Sequence, residues 1–63
     1  MESIIKIITQ TREDKKLTQN QLSHKAKVPV DSIINLENGN YMKVNFTTFL
    51  KIINALDLKV ELI

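Results

Sequence analysis

One proline and one glycine interrupt this chain, Pro29 and Gly39, and the stretch between them reads VDSIINLEN. Proline suits the first position of a helix and biases Val28, before it, away from helical geometry. Glycine lets a helix end through left-handed backbone at little steric cost. The segment is therefore expected to be a short helix reaching Asn38, and the same scarcity of breakers predicts nearly continuous helix elsewhere, joined by tight turns. A helix this short gains little stability by itself. Ile33, Leu36 and Glu37 account for its inner turns, which leaves Val30, Asp31, Ile34 and Asn35 without a structural role.

Three further helices follow from periodicity and caps. Ile4, Ile5, Ile8 and Thr11 recur at helical spacing, predicting a first helix from Ser3 to Asp14. TQNQL opens with Thr18 and places Gln21 three residues on, a capping box for a second helix whose inner side is Leu22 and Ala26 and which ends near Lys27. After NYMKV, Asn45 can cap a fourth helix running to Leu56, with Phe46, Phe49, Leu50, Ile53 and Leu56 inward. DLKVELI then changes period: Leu58, Val60 and Leu62 alternate with charged residues, which is strand patterning. A lone strand leaves backbone groups unpaired on both edges, and a second copy across a two-fold axis satisfies them. The competing reading is a frayed end or a continuation of the fourth helix.

The sequence has 63 residues, enough for one domain over 1–63, and a chain this short buries only about 60% of its unfolded surface. Small domains gain stability from disulfides, a metal or oligomerisation. With no cysteine and a single histidine, His24, neither a disulfide nor a metal site is expected, and no cofactor. Oligomerisation remains. The net charge is +2, and Lys15, Lys16, Lys25 and Lys27 lie in a segment without acids, which is what a polyanion meets and equally what a solvated helix surface looks like. The N-terminal isoleucines, interrupted by Lys6, are too few for a membrane span and lack a cleavage site, so no membrane partner is expected and a cytoplasmic location fits. His24 has no serine, cysteine or carboxylate motif around it, and no glycine-rich loop exists, so an enzyme is not expected.

Two short helices separated by a brief turn, the second stopped by Gly39, have the outline of a helix-turn-helix over residues 17–39. LTQNQLSHKAKVPVDSIINLENG resembles the Cro/repressor (XRE-type) family through Leu17, Thr18, Gln19, Leu22, Val28, Ile33, Leu36, Glu37 and Gly39. FTTFLKIINALDLKVEL, residues 46–62, is similar to the end of the HipB-type antitoxins, where a fourth helix leads into a strand pairing between subunits. The resemblance implies an all-α, lambda-repressor-like helix-turn-helix bundle of about four helices, with a short C-terminal strand (57–63) pairing across a homodimer through Leu58, Val60 and Leu62. It also implies that Glu37 pairs with Arg12 of the first helix. Ser23 stands where the family usually has alanine, and Lys27 where the turn often has glycine. A left-handed lysine costs about 1 kcal/mol, so a slightly different turn is expected there.

The functional expectation is double-stranded DNA with an inverted-repeat operator. Phosphate contacts are expected from Thr18, Gln19, Asn38, Asn40 and Lys43, with Gln19 pointing outward at the start of its helix. Val30 and Ile34 can touch thymine methyl groups, Asn35 can bond adenine, Asp31 can accept from cytosine N4, and Ser32 lies beside them. Asp31 can equally cap the third helix. By resemblance the chain is a repressor and the antitoxin of a HipBA-like pair, with a HipA-like kinase toxin as partner. A phage-type repressor and a helical protein-interaction module are the alternatives.

Overall fold

The computed structural model describes residues 2–58; residue 1 and residues 59–63 lie outside it. Four α-helices follow one another, α1 Glu2–Asp14, α2 Gln19–Ala26, α3 Val30–Glu37 and α4 Phe46–Ala55, with a 3₁₀ turn at Tyr41–Lys43 before the last. The described residues form no strand. One core gathers Ile5 and Ile8 of α1, Leu22 and Ala26 of α2, Ile33 and Leu36 of α3, and Ile52, Ile53, Ala55 and Leu56 at the end of α4. α2 packs against both α3 and α4, whereas α1 lies on α3.

Helix starts follow local chemistry. At α2, Thr18 Oγ1 accepts from the Gln21 N–H at 3.0 Å and Gln21 Oε1 accepts from the Thr18 N–H at 2.8 Å, a complete capping box. Asn45 Oδ1 accepts from the Thr48 N–H at 2.8 Å and starts α4. α3 is different: Pro29 occupies the capping position and no side chain caps the helix. Asp31 therefore does not cap α3. It stands one residue inside the first turn, exposed, where its charge still complements the helix dipole.

Helix ends share one device. After α1, α2, α3 and α4 the chain passes through a left-handed residue, respectively Lys16 (φ 57), Lys27 (φ 59), Gly39 (φ 84) and Asp57 (φ 59). In each case the following N–H reaches back to the last turn: Leu17 to Arg12 O, Val28 to Ser23 O, Asn40 to Asn35 O, and Leu58 to Ile53 O, over 2.8–3.1 Å. This is the Schellman arrangement, which satisfies carbonyls the helix leaves open. Leu17, Val28 and Leu58 then pack against the core, whereas Asn40, after the glycine, is exposed. Burial of an apolar side chain thus offsets the strain at the two lysines and the aspartate, and glycine serves where no such burial follows. The sequence suggested an altered turn at Lys27; instead the lysine adopts the left-handed conformation itself.

Two expectations at the C-terminal end need correction. Phe46 is not inward but 59% exposed. As the first residue of α4 it stacks on Phe49, with ring centroids 6.4 Å apart, and helps line an open apolar groove of about 260 Å³ with Leu36, Tyr41 and Val44. Asp57 is left-handed and closes α4 instead of opening a strand, and the Leu58 N–H bonds Ile53 O. Val60 and Leu62 lie outside the described residues.

Arg12 and Glu37 join α1 to the end of α3. Arg12 Nε donates to Glu37 Oε2 at 2.7 Å and Nη2 to Oε1 at 3.1 Å, while Nη1 donates to Leu17 O at 2.7 Å. The two side chains are only 13% and 7% exposed. Hydrogen bonding to Glu37 raises the guanidinium pKa above its ordinary value; burial opposes this, and the charge of Glu37 adds to it. The planar fork makes two bonds to one carboxylate, which a lysine would not reproduce.

Replacing Arg12 by Met alone should remove about 3 kcal/mol or more, because Glu37 stays behind largely buried and unpaired. Arg12→Met with Glu37→Leu should lose less than either single change. Urea unfolding of the four proteins gives the cycle, and additive effects near zero would show that the pair contributes nothing. Lys27→Gly should gain about 0.5–1 kcal/mol by relieving left-handed strain, whereas Gly39→Ala should lose about 1 kcal/mol. The Gly39 loss is expected although an added Cβ meets nothing within 4 Å. A Lys27→Gly protein no more stable than the native chain would show that the left-handed lysine carries no net strain.

Candidate nucleic-acid interface

α3 is anchored by Ile33 and Leu36, buried in the same core as Leu22 of α2, and is also touched by α1 and the 3₁₀ turn; Val30, Asp31, Ile34 and Asn35 are not among its core residues. At 100° per residue, Val30, Asp31, Ile34 and Asn35 fall on the opposite arc. Asp31 is exposed, and Val30, Ser32, Ile34 and Asn35 are half-buried. The helix therefore presents two β-branched aliphatic side chains, a carboxylate, an amide and a hydroxyl on a rigid support.

The flanking polar residues sit at helix ends. Thr18 is exposed, and its hydroxyl oxygen serves the capping box while its O–H remains able to donate. Asn38 and Asn40 are exposed on either side of Gly39, in the turn that ends α3. Lys43 is exposed at the end of the 3₁₀ turn, which packs on α3. The interposed Met42 is 93% exposed.

Gln19 departs from the outward orientation expected of it. It is half-buried, and its Nε2 donates to Glu37 Oε1 at 3.0 Å. The start of α2 is thereby tied to the end of α3, which brings Thr18 and Gln19 to the residue that precedes Asn38. Residues 19 and 37 are far apart in sequence, and no local pattern links them. A glutamine just inside a capping box reads as free until tertiary packing supplies a carboxylate.

The charge pattern is also modified by the fold. Lys16, Lys25 and Lys27 are exposed, and so is His24. Lys15 meets Asp57, with Nζ and Oδ2 at 3.3 Å, so one lysine of the basic segment is matched by an acid from the other end of the chain. Both partners are solvated, and such a pair contributes little to stability. Among the described residues, no cluster of three or more acidic, histidine or cysteine side chains could hold a metal ion. No helix of the described residues is long and apolar enough to cross a membrane.

A family model described as helix-turn-helix matches residues 8–63. Neither the curated proteins nor the solved structures compared with the chain match it. The family model covers α2, the turn, α3 and all that follows, including the residues set out above. Its members are DNA-binding regulators of transcription and typically not enzymes. The chain belongs to the helix-turn-helix family, of the XRE type.

Proposed function

We propose that the chain is a sequence-specific DNA-binding repressor, acting in the cytoplasm as a homodimer on an inverted-repeat operator, with residues 1–63 forming one helix-turn-helix domain. The observation that carries this reading is α3 itself, pinned by Ile33 and Leu36 and carrying Val30, Asp31, Ile34 and Asn35 on its unclaimed side, with Ser32 at its border. A helix of this kind enters the major groove in helix-turn-helix proteins. There Val30 and Ile34 meet thymine methyl groups, Asn35 bonds adenine, and Asp31 accepts from cytosine N4. Thr18, Gln19, Asn38, Asn40 and Lys43 hold the flanking phosphates.

The homodimer is supported by the alternation of Val60 and Leu62 with charged residues. Since the Leu58 N–H closes α4, pairing between copies falls to the residues after it. The similarity of residues 46–62 to HipB-type antitoxins supports a narrower role, that of an autoregulating antitoxin with a HipA-like kinase toxin as partner. A toxin gene beside this one, and co-purification of its product, is the result this role requires; an isolated phage repressor would have neither.

Lys43→Ala should weaken binding to every duplex and lower the salt slope by about 0.9, the value for one phosphate contact. Asn35→Ala should instead change base preference, read by selection from a randomised duplex library. Unchanged selectivity would place the reading surface elsewhere. The selected sites should show half-sites about one helical turn apart. Deleting residues 59–63 should yield monomers by sedimentation at micromolar concentration, and an intact chain that is itself monomeric there would sink the dimer.

A further inference from the structure

We propose that Glu37 is a positioning residue for DNA contact: it fixes the Gln19 amide so that the amide's second N–H is offered to a phosphate, while Arg12 cancels the carboxylate charge at that place. This rests on the reading of the chain as a DNA binder that uses Gln19 at the backbone. Three hydrogen bonds carry it. Glu37 accepts from Arg12 Nε and Nη2 and, on Oε1, from Gln19 Nε2. A carboxylate only accepts, so the nitrogen of the amide must face it, and the orientation of the Gln19 side chain follows. One amide N–H is consumed in this way. The other N–H and the amide carbonyl bond to no other side chain or backbone group among the described residues.

The arrangement has an electrostatic condition. A carboxylate one hydrogen bond away from a bound phosphate repels it, and partial burial weakens the screening that would mask this between exposed groups. The bidentate guanidinium makes Glu37 part of a neutral pair, so the carboxylate can orient Gln19 without that repulsion. A clamp that merely joined α1 to α3 would need Arg12 and Glu37 but would have no use for Gln19.

The test uses the full chain and a fluorescein-labelled mixed-sequence 20-base-pair duplex over a salt series, with affinities corrected for folded fraction by circular dichroism. Non-specific binding reports phosphate contacts directly. Gln19→Ala should weaken binding about five- to tenfold with an unchanged salt slope, because the lost donor is neutral. Arg12→Met with Glu37→Leu should cause a similar loss and add little when Gln19→Ala is already present. Arg12→Lys, which keeps a cation beside Glu37, should lie within about twofold of the native affinity although it lowers stability. Additive losses, or a double variant that binds like the native chain when folded, overturn the proposal.

A second measurement needs no variant and so survives any failure to fold. In a ¹⁵N-edited spectrum of the native protein, one Gln19 side-chain amide proton should already be shifted downfield by the carboxylate. Saturation with the duplex should move the other. If the duplex binds and that second proton stays in place, the positioning role is wrong while the DNA-binding reading stands. If the native chain does not bind the duplex at 50 mM salt, both fall.

Discussion

The carboxylate of Glu37 is the point on which the arrangement of the first three helices depends. It sits at the end of α3 and receives hydrogen bonds from α1 through Arg12 and from α2 through Gln19. A charge this far removed from water is costly unless its lone pairs are occupied, and here three donors occupy them. Arg12 is itself satisfied a third time by Leu17 O, in the turn between α1 and α2. Hydrophobic contact alone would let α1 slide on α3, since dispersion and burial are not directional. The bonds at Glu37 are directional, and they define a register.

A second constraint is the economy of the helix ends. Each of the four helices ends through a left-handed residue, although only one glycine is available. Lys16, Lys27 and Asp57 accept the strain because Leu17, Val28 and Leu58 are drawn against the core immediately afterwards. The turns are thus held by the same apolar interior that holds the helices. This couples the α2–α3 turn, and so the angle at which α3 is presented, to core packing rather than to the intrinsic preference of the turn residues.

Much of this architecture is legible in the residues alone. The capping box at Thr18, the cap at Asn45, the pause at Pro29 and the stop at Gly39 are decided by neighbours within four positions, and the structure places helix boundaries within a residue or two of those signals. The inner faces of α2 and α3 follow from helical spacing in the same way. The end of α4 was less legible. Alternation at Leu58, Val60 and Leu62 suggested a strand from Asp57 onward, yet Asp57 and Leu58 are taken up in closing the helix. Phe46 carries the right period for burial, but it begins its helix at the edge of the core and is exposed there among the described residues.

The sequence by itself determined where helices start and stop and which side of each is apolar, because caps, breakers and periodicity act over one or two turns of backbone. Only the tertiary structure decided how the charged and amide side chains are used. Gln19 turns inward to Glu37, Lys15 meets Asp57, and Lys27 takes a left-handed conformation. Each of these depends on a partner or a burial site supplied by another helix. A hydrogen bond or an ion pair reaches only about 3 Å, so its existence depends on packing that brings distant positions together, and no local pattern encodes that.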